Sequence, residues 1–489
     1  MRSHREVERS FAPGPDDELP DLGVADGVAA VEEAGSVDLA ATYFDTEDLA
    51  LTRAGVSLRR REGGTDAGWH LKVPAAEGRD EVTQPLGRAT RTPPAPLRRS
   101  VLPWTAGRTL IPVASVETRR TTRLVRDAGR RVLAEVADDR VTGTPCDGGE
   151  PVLWREWEVE LVDGDSDLLS AVGELLEDAG VPSSPTQRKI DRVLRFEPSP
   201  APVDDDTAAA LLHDRLAEQV AMLRVHDSGI RRGVPDSVHQ TRVACRRLRA
   251  ALATFRPLID RTKTDPIRDE LRWVARSLGD ARDAEVMHER LRGLVEEEPF
   301  VVGPVRRRLR STYAARDREG LRDADELMNS DRYFALLATL DELVADPPWS
   351  DQANDDAHDV ARQRLRKERR RLRRRVEAAE ALTERGGSDY DTALHDVRKA
   401  AKRFRYACEA AEPALGDDAA KLRKKAKKLT QVLGERQDTA VTRADLLAFA
   451  RAATADGESA LTYGRLHARE EARAEELDRE FRKRWQKLG

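Results

Sequence analysis

The strongest constraint in this sequence is an abrupt change of hydrophobic pattern near residue 200. Before that point, apolar and polar residues alternate in short segments such as 116–125, 132–141 and 155–162, each with a turn cluster of Gly, Pro or Asp nearby. This alternation predicts antiparallel strands, with one helix at DLLSAVGELLEDAG (167–180), whose final glycine is a plausible C-cap. Beyond residue 200 only long helical patterns remain. The chain is therefore expected to be a multi-domain α+β protein whose second part is all-helical.

Composition marks the boundary between the two parts. The stretch EPSPAPVDDD (197–206) is Pro-rich and acidic, which is typical of an interdomain linker. We therefore assign residues 1–197 to the strand domain, 198–206 to the linker and 207–489 to the helical domain. Breaks between helices are expected at Gly233–Pro235, Pro299–Pro304, Pro347–Trp349 and Gly386–Ser388.

The overall composition argues against several classes of protein. The 84 Lys and Arg residues nearly balance the 89 Asp and Glu residues, which excludes a uniformly basic protein but leaves local patches possible. No apolar run approaches the roughly 18 residues of a membrane helix, and the N-terminal segment lacks the apolar core of a secretory signal. The 3 cysteines are too few for a disulfide framework and have no zinc-site spacing. We expect a soluble, cytoplasmic protein with no membrane partner.

The helical part contains an internal repeat. The segment VHQTRVACRRLRAALATFRPL (238–258) is similar to LHDVRKAAKRFRYACEAAEPAL (394–415), and WVARSLGDARDAEV (273–286) is similar to KLTQVLGERQDTAV (428–441). The offset between the two similar segments is nearly the same in both pairs, and such agreement is improbable by chance. The repeat predicts two related helical bundles packed together.

Each repeat carries a row of cationic side chains beside its apolar stripe. The positions follow the spacing i, i+3, i+7 and i+10, so each row lies along one helical face. The rows consist of His239, Arg242, Arg246 and Arg249 in the first repeat, and of His395, Arg398, Lys402 and Arg405 in the second.

Such rows have two interpretations. A solvated face neutralised by nearby carboxylates is the common explanation for a single run of charge, but the recurrence of the same spacing favours binding of a polyanion. A third basic run, 362–375, has only Glu368 opposing it. Arginine dominates these segments, and its planar fork grips phosphate oxygens in a bidentate manner. Nucleic acid is the less favoured ligand, because the rows are accompanied only by Phe404 and Tyr406 as aromatic platforms.

Residues 207–489 resemble a CHAD domain. The resemblance is carried by four motifs in order: HQTRVACRRLR, LGDARD, HDVRKAAKRFRY and LGERQD. It implies that a basic surface, here the two cationic rows, binds inorganic polyphosphate. It also implies that the protein associates with polyphosphate granules, as members of the family do in some bacteria.

The strand part concentrates charge on particular strand faces. In the first strand, period-two alternation puts His4, Glu6, Glu8 and Ser10 on one face. Further acidic and basic positions share faces later in the chain. If all these faces point into one barrel, the carboxylates can hold a hard divalent cation and the cations can hold phosphate oxygens. The alternative is that the alternating charges simply face solvent on an antiparallel sheet.

This part resembles the CYTH domain of the triphosphate tunnel metalloenzymes over about residues 3–197. The resemblance is carried by YFDTEDLALTRAGVSLRRR (43–61), the following strand GWHLKVP, the late strand WEVEL and the segment TQRKIDRVL. It implies an antiparallel eight-stranded β-barrel tunnel with flanking helices that binds a triphosphate and a divalent metal, Mg²⁺ or Mn²⁺. Members of that family hydrolyse inorganic triphosphate or thiamine triphosphate, or form cyclic AMP.

The resemblance also implies roles for individual residues. The metal ligands are Glu6, Glu8, Glu158 and Glu160. The catalytic group comprises Glu6, Glu8 and Lys72, and the substrate phosphates contact Arg59, Arg61, Arg119 and Lys189. The register of VETRRTTR leaves Arg120 as an alternative to Arg119, and Glu156 shares the face of Glu158. Asp138 is the candidate acid of the intervening strand.

One position departs from the family signature ExExK. The sequence reads Glu6-Val7-Glu8-Arg9-Ser10, and in a regular strand Arg9 points to the opposite face, so it does not replace the lysine. Two hypotheses follow. The first is a metal-dependent inorganic triphosphatase with an appended polyphosphate-binding domain. The second is a catalytically inactive polyphosphate-binding or granule-associated protein. A nucleotide cyclase ranks below both, because no base-recognition pocket accompanies the motifs, and the sequence does not predict the oligomeric state.

Overall fold

The computed structural model describes residues 2–75, 78–87, 92–184, 188–196, 206–383 and 387–488. The chain divides into two compact units, broadly before and after position 200, and each unit has apolar clusters of its own. Of the linker expected at 198–206, only Asp206 lies within the described residues. None of the helices in the described ranges is long and apolar enough to cross a membrane.

The first unit is built on an antiparallel sheet of nine strands in the order β1-β6-β5-β4-β3-β7-β8-β9-β2. The strands predicted at 116–125, 132–141 and 155–162 are confirmed, and all three extend beyond the predicted range at one end or both. The strands are β1 Arg2–Glu6, β2 Glu8–Phe11, β3 Ala30–Asp45, β4 Ser57–Glu62, β5 Gly68–Pro74, β6 Arg79–Gln84, β7 Ile111–Arg126, β8 Val132–Pro145 and β9 Val152–Leu161.

The two edge strands of this sheet are consecutive in the sequence. β1 pairs with β6 and β2 pairs with β9, while only Val7 separates Glu6 from Glu8. Chain continuity therefore holds the two edges close together, and the sheet must curl around to allow this. The described residues form nine strands rather than the expected eight, because the first strand changes its pairing partner at Val7.

In the part of this unit that the structure describes, five α-helices accompany the sheet: α1 Ala50–Arg53, α2 Ala95–Ser100, α3 Leu102–Thr105, α4 Ser166–Asp178 and α5 Lys189–Val193. The helix predicted at 167–180 is confirmed as α4, and Gly180 follows it at φ +87°, the left-handed conformation of a helix C-terminus. α4 packs Val172 against the buried Trp157 side of the sheet. α5 packs Ile190 and Val193 into a separate cluster with β7 and β8, and this contact positions Lys189.

The second unit is helical. The breaks predicted at Gly233–Pro235, Pro299–Pro304 and Pro347–Trp349 are confirmed, since each falls between two helices. Gly386 of the fourth predicted break lies outside the described residues, and the next helix begins at Gly387. The helices are α6 Ala208–Arg232, α7 Ser237–Thr254, α8 Arg261–Ser277, α9 Gly279–Glu296, α10 Val305–Met328, α11 Asp331–Ala345, α12 Ala357–Glu380, α13 Gly387–Leu415, α14 Asp417–Ala455 and α15 Leu461–Leu488.

The repeated segments meet in the core of this unit. α7 and α13 pack against each other, and both bury the apolar stripes expected from the sequence, including Leu248 on α7 and Phe404 on α13. The second pair of repeated segments differs in structure. LGDARD lies at the junction of α8 and α9, whereas LGERQD lies inside the single long helix α14. The repeat is thus retained in the packing of α7 and α13 but not in the helix boundaries that follow.

Candidate functional site

A cavity of about 380 Å³ lies inside the curled sheet. We call it the sheet cavity. Charged side chains from β1, β2, β4, β5, β6, β7 and β9 and from α5 line it, which matches the expectation that charged strand faces share one interior. The predicted residues that line it are Glu6, Glu8, Arg59, Arg61, Lys72, Glu158, Glu160 and Lys189.

Three carboxylates gather where the two edges of the sheet meet. Glu6 ends β1, Glu8 begins β2, and Glu160 is the pairing partner of Glu8 on β9. One oxygen from each lies within 4.8 Å of the others. The Nζ atom of Lys72 is 2.6 Å from Glu6 Oε1 and 4.0 Å from Glu8 Oε2. Burial and the charges of its neighbours raise the pKa of Glu160 to about 7, and they also raise the pKa of Glu8.

This carboxylate group fits a hard divalent cation. The Oε2 atom of Glu6 is buried and has no hydrogen-bond partner among the described residues. Lys72 supplies one positive charge to a group that holds three acidic side chains. Carboxylate oxygens are the ligands that Mg²⁺ and Mn²⁺ prefer, and a divalent charge offsets the repulsion that raises these pKa values.

Glu158 does not belong to this group, contrary to the predicted set of four metal ligands. It lies with Asp139 and Glu156 in a second carboxylate group, into which Lys189 inserts its ammonium. Glu158 is 2.5 Å from Lys189 Nζ and 2.5 Å from Arg120 Nη2. Burial alone raises the pKa of Glu158, but these two cations outweigh it and hold that pKa well below the usual range. Glu158 and Glu160 thus share one strand face but have different partners. Glu158 pairs with Lys189 and Arg120, whereas Glu160 lies with Glu6 and Glu8.

Cationic side chains surround the remainder of the sheet cavity. Arg59 Nη1 donates to the Tyr43 hydroxyl at 3.3 Å, and its Nη2 lies 3.9 Å from Glu81. The Nε atom of Arg59 is buried without an acceptor among the described residues. Arg61 forms an ion pair with Asp66 at the cavity wall. Buried guanidinium groups with unused donors are suited to the oxygens of a phosphate chain.

At two predicted positions the neighbouring residue turns inward instead, and for Arg119 that neighbour is the alternative left open by the sequence, Arg120. Arg119 is exposed and lines an outer groove, whereas Arg120 lines the sheet cavity and pairs with Asp139 at 2.6 Å. Likewise Asp138 faces outward and pairs with Arg155, while its neighbour Asp139 is buried. Because successive residues of a strand face opposite sides, a shift of one residue exchanges the two faces.

The cavity also contains a buried pair that was not predicted from the sequence. His70 Nδ1 lies 2.9 Å from Glu81 Oε1, and both side chains line the cavity. Burial raises the pKa of Glu81, but His70, Lys72 and Arg59 together lower it to about 2. A signal was present in the sequence, because His70 is two residues before Lys72 and so shares its strand face.

The departure from the family signature at Ser10 is confirmed, because the side chain of the neighbouring Arg9 does not replace the lysine. Arg9 points away from the cavity and donates to Glu177 Oε1 at 2.9 Å and to Ser183 Oγ at 3.1 Å. Ser10 pairs with Glu158 across the sheet but is not among the residues that line the cavity. Arg9 therefore does not supply the absent ammonium, and Lys72 is the lysine nearest to Glu6 and Glu8 among the described residues.

The second unit contains a cavity of about 940 Å³, which we call the helical cleft. Six of the eight residues in the two predicted rows line it: His239, Arg242 and Arg246 from α7, and His395, Arg398 and Lys402 from α13. Arg249 and Arg405 do not. Ten residues of helix span about 15 Å, so the fourth member of each row lies beyond the cleft. Arg249 lies near Arg268 and Arg272 instead, and Arg405 is 3.6 Å from Glu409.

The repeated motifs support corresponding arginines in the helical cleft. Arg242 Nη1 donates to the Gly279 carbonyl at 3.1 Å. The guanidinium of Arg398 passes over Gly434, the glycine of the second motif, in ordinary van der Waals contact with the position of a Cβ atom there. His395 Nδ1 is 2.9 Å from Gln437 Oε1. Both repeats therefore use a motif glycine to seat an arginine on the cleft wall.

Two cations of the helical cleft are in no close ion pair. Arg246 and Lys402 have no carboxylate of a described residue within 4 Å, and Arg246 Nε is buried without an acceptor among the described residues. Burial and the nearby charges of Arg398 and Arg246 lower the pKa of Lys402 to about 7. Four carboxylates also line the cleft: Glu319, Asp323, Asp438 and Asp445.

Comparison with known proteins places this architecture in a family. The CYTH domain model matches residues 4–193, and the CHAD domain model matches residues 214–447. An uncharacterized protein of Mycobacterium tuberculosis strain H37Rv is 35% identical over 491 residues, which cover 96% of this chain and 94% of that protein. The chain therefore belongs to the family of proteins in which a CYTH domain is followed by a CHAD domain.

Two further relatives match parts of the chain. Thiamine-triphosphatase of Homo sapiens is 44% identical over 75 residues, which cover 15% of this chain and 28% of that protein. Among solved structures, PptA from Streptomyces chartreusis covers 57% of this chain and 98% of its own, with 24% identity and a TM-score of 0.47.

Proposed function

We propose that the first unit hydrolyses inorganic triphosphate with a divalent metal and that the second unit binds inorganic polyphosphate. The proposed domains are the tunnel domain 1–197, the linker 198–206 and the polyphosphate-binding domain 207–489. The observation that carries the catalytic proposal is the composition of the sheet cavity. It holds a carboxylate group suited to a metal beside buried cations suited to a phosphate chain.

The match to the CYTH model and the similarity to thiamine-triphosphatase support a triphosphatase-type activity at the level of the family. In this proposal Glu6, Glu8 and Glu160 hold Mg²⁺ or Mn²⁺. A bound divalent ion supplies charge neutralisation on the phosphate oxygens during phosphoanhydride cleavage. Arg59, Arg61, Arg120 and Lys189 hold the phosphate chain, and Lys72 balances the carboxylate group.

The catalytic proposal is tested by phosphate release from inorganic triphosphate with Mg²⁺ or Mn²⁺. Replacing Glu6 and Glu8 with Gln preserves shape but removes two anionic ligands. We expect the rate to fall by more than about a hundredfold, since even groups that only orient metal ligands contribute tenfold to a hundredfold. The double variant should retain polyphosphate binding by the second unit. Full activity in the double variant would contradict the assignment of the site. Thiamine triphosphate, ATP and long-chain polyphosphate serve as parallel substrates.

In the second candidate function, the sheet cavity binds phosphate chains but does not hydrolyse them. The specific observation in its favour is Ser10, where the family signature has a lysine, together with the outward orientation of Arg9. The same assay separates the candidates, because the wild-type protein releases phosphate only if the first is correct. If it binds triphosphate without releasing phosphate, the protein is a binding protein associated with polyphosphate or its granules.

The proposal that the second unit binds polyphosphate is based on the helical cleft. Cations from the two repeated helices α7 and α13 line the same cleft, and Arg246 and Lys402 form no ion pair within 4 Å with a described residue. Such a surface is stabilised by a polyanion. Because the proposed contacts are ionic, the affinity should fall steeply as the salt concentration rises, by analogy with counterion release from nucleic acids.

This part is tested by calorimetry with a short polyphosphate at fixed salt. Reversing Arg246 and Lys402 to Glu should weaken binding far more than reversing Arg306 and Arg310, a matched pair of exposed charges on α10. The matched pair changes the net charge by the same amount, so it reports the general effect of charge. Equal losses in the two double variants would mean that the cleft is not the binding site.

A further inference from the structure

α12 presents an exposed basic surface outside the helical cleft. Its apolar residues, including Leu365, Leu372 and Val376, form one buried stripe. On its exposed side, two adjacent rows of cations follow the i, i+4 spacing of a helical face. These rows consist of Arg366, Arg370 and Arg374, and of Lys367, Arg371 and Arg375, and all six residues are exposed. We call these six residues the α12 basic face.

The α12 basic face has little neutralising charge. Among the described residues, Arg375 is the one member that forms an ion pair, 3.4 Å from Asp396. The acid within the basic run, Glu368, is buried and is already paired with Arg403 at 2.7 Å. Like charges at i, i+4 destabilise a helix by a few tenths of a kcal/mol per pair. A surface of this kind is stabilised by an anion with many regularly spaced charges.

The α12 basic face begins beside the helical cleft. Arg375 pairs with Asp396, the residue directly after His395 of the cleft. Lys399, one turn further along α13, reaches the same Asp396 at 3.4 Å, and its side chain is 64% exposed. A phosphate chain that leaves the cleft at His395 therefore meets Lys399 and Arg375 before it reaches the rest of α12.

We propose that the α12 basic face is a second binding surface for polyphosphate, which engages chains too long to be held in the helical cleft alone. This inference rests on the proposed binding of polyphosphate by the cleft and adds a preference for long chains. Charge complementarity and continuity with the cleft identify the occupant. α12 contains no Phe, Tyr or Trp, so it offers no platform on which nucleic-acid bases can stack.

The proposal is tested on the full chain in the presence of a chelator, with tripolyphosphate and long-chain sodium polyphosphate as probes. The test variant is Arg366→Gln/Arg370→Gln/Arg374→Gln. The control variant Arg306→Gln/Arg310→Gln/Arg451→Gln removes three exposed charges from α10 and the end of α14. Circular dichroism checks that both variants are folded. Exposed ionic contacts each contribute a factor of a few, so we expect the test variant to bind long polyphosphate about tenfold more weakly than the control.

Each outcome has a definite meaning. An unchanged affinity of the test variant for tripolyphosphate, together with the loss for the long chain, supports the proposal. Equal affinities of test and control variants for the long chain overturn it, and so does an equal loss for both probes. Loss of duplex DNA binding without loss of polyphosphate binding overturns it in favour of nucleic acid. Failure of the cleft itself is recognised separately, because Arg246→Glu/Lys402→Glu would then leave the binding of both probes unchanged.

Discussion

Lys402 has an unusual setting for a lysine. It lies half-buried in the helical cleft, and the groups that face it are Arg246 from α7, Arg398 and Arg405 from α13, and Asp438 from α14. Burial and the three arginines disfavour the ammonium more than Asp438 favours it, which lowers the pKa of Lys402 to about 7. Most lysines keep a constant charge near neutral pH, whereas this one changes its charge there.

This setting predicts that polyphosphate binding depends on pH. Below pH 7 Lys402 is mainly charged and attracts the anion, and above pH 7 it is mainly neutral, so affinity should fall as the pH rises from 6 to 8. The loss should reach up to about tenfold per unit above the pKa. Burial lowers the pKa of His395, so that histidine contributes mainly below its usual range. Calorimetry at constant ionic strength measures the profile.

The matched control for this prediction is Lys402→Arg, which keeps the positive charge at every pH in the window. The variant should bind with a flatter profile between pH 6 and 8 than the wild-type protein. An identical profile would assign the titration to another group or to the phosphate chain.

At the scale of secondary-structure elements, the position of a cavity residue depends on a short helix. α5 brings Lys189 into the sheet cavity, where its Nζ lies 3.0 Å from Asp139 and 2.5 Å from Glu158. The helix rests on β8 at Gly143. A Cβ atom at that position would lie 2.2 Å from Val193 Cγ2 and 3.1 Å from the Trp154 ring. Gly143 is therefore needed for the close approach of α5 to the sheet.

We expect Gly143→Ala to displace α5 from the sheet. Overpacking of this kind costs about 1–3 kcal/mol of stability. If Lys189 acts in the sheet cavity, triphosphate hydrolysis should fall together with thermal stability, and polyphosphate binding by the second unit should not change. Gly148→Ala is a suitable control because nothing lies within 4 Å of its Cβ position, although its φ of +89° makes that change mildly strained as well. Wild-type activity in a destabilised Gly143→Ala protein would contradict a role for the position of α5.

At the scale of the whole molecule, the chain consists of two compact units with separate apolar cores. Units that bury their own apolar surface generally unfold as separate cooperative transitions. A ligand that binds only one unit stabilises that unit, and the shift follows from mass action.

We therefore expect two transitions in calorimetric unfolding. Long-chain polyphosphate, added in the presence of a chelator, should raise only the transition of the helical unit. The stabilisation should be about 2.7 kcal/mol when free ligand is a hundredfold above the dissociation constant. The variant Arg246→Glu/Lys402→Glu should lose most of this shift. A single transition that moves as a whole would show that the two units unfold together.

The local sequence determines much of this protein. Period-two alternation predicts β7, β8 and β9, and helical periodicity predicts the buried stripes of α7 and α13, because these patterns arise from the geometry of one element. The motifs identify both families for the same reason, since residues such as Glu6 and Glu8 are close in the sequence. The departure at Ser10 and the outward orientation of Arg9 also follow from strand geometry alone.

Tertiary structure decided the rest, because it depends on contacts between distant segments. Whether Arg119 or Arg120 enters the sheet cavity depends on strand register, which the run of polar residues around them specifies weakly. Glu158 leaves the expected metal group because Lys189, thirty-one residues later in the chain, meets it. The pKa of Lys402 likewise depends on burial and on charges from other helices, which no local pattern encodes.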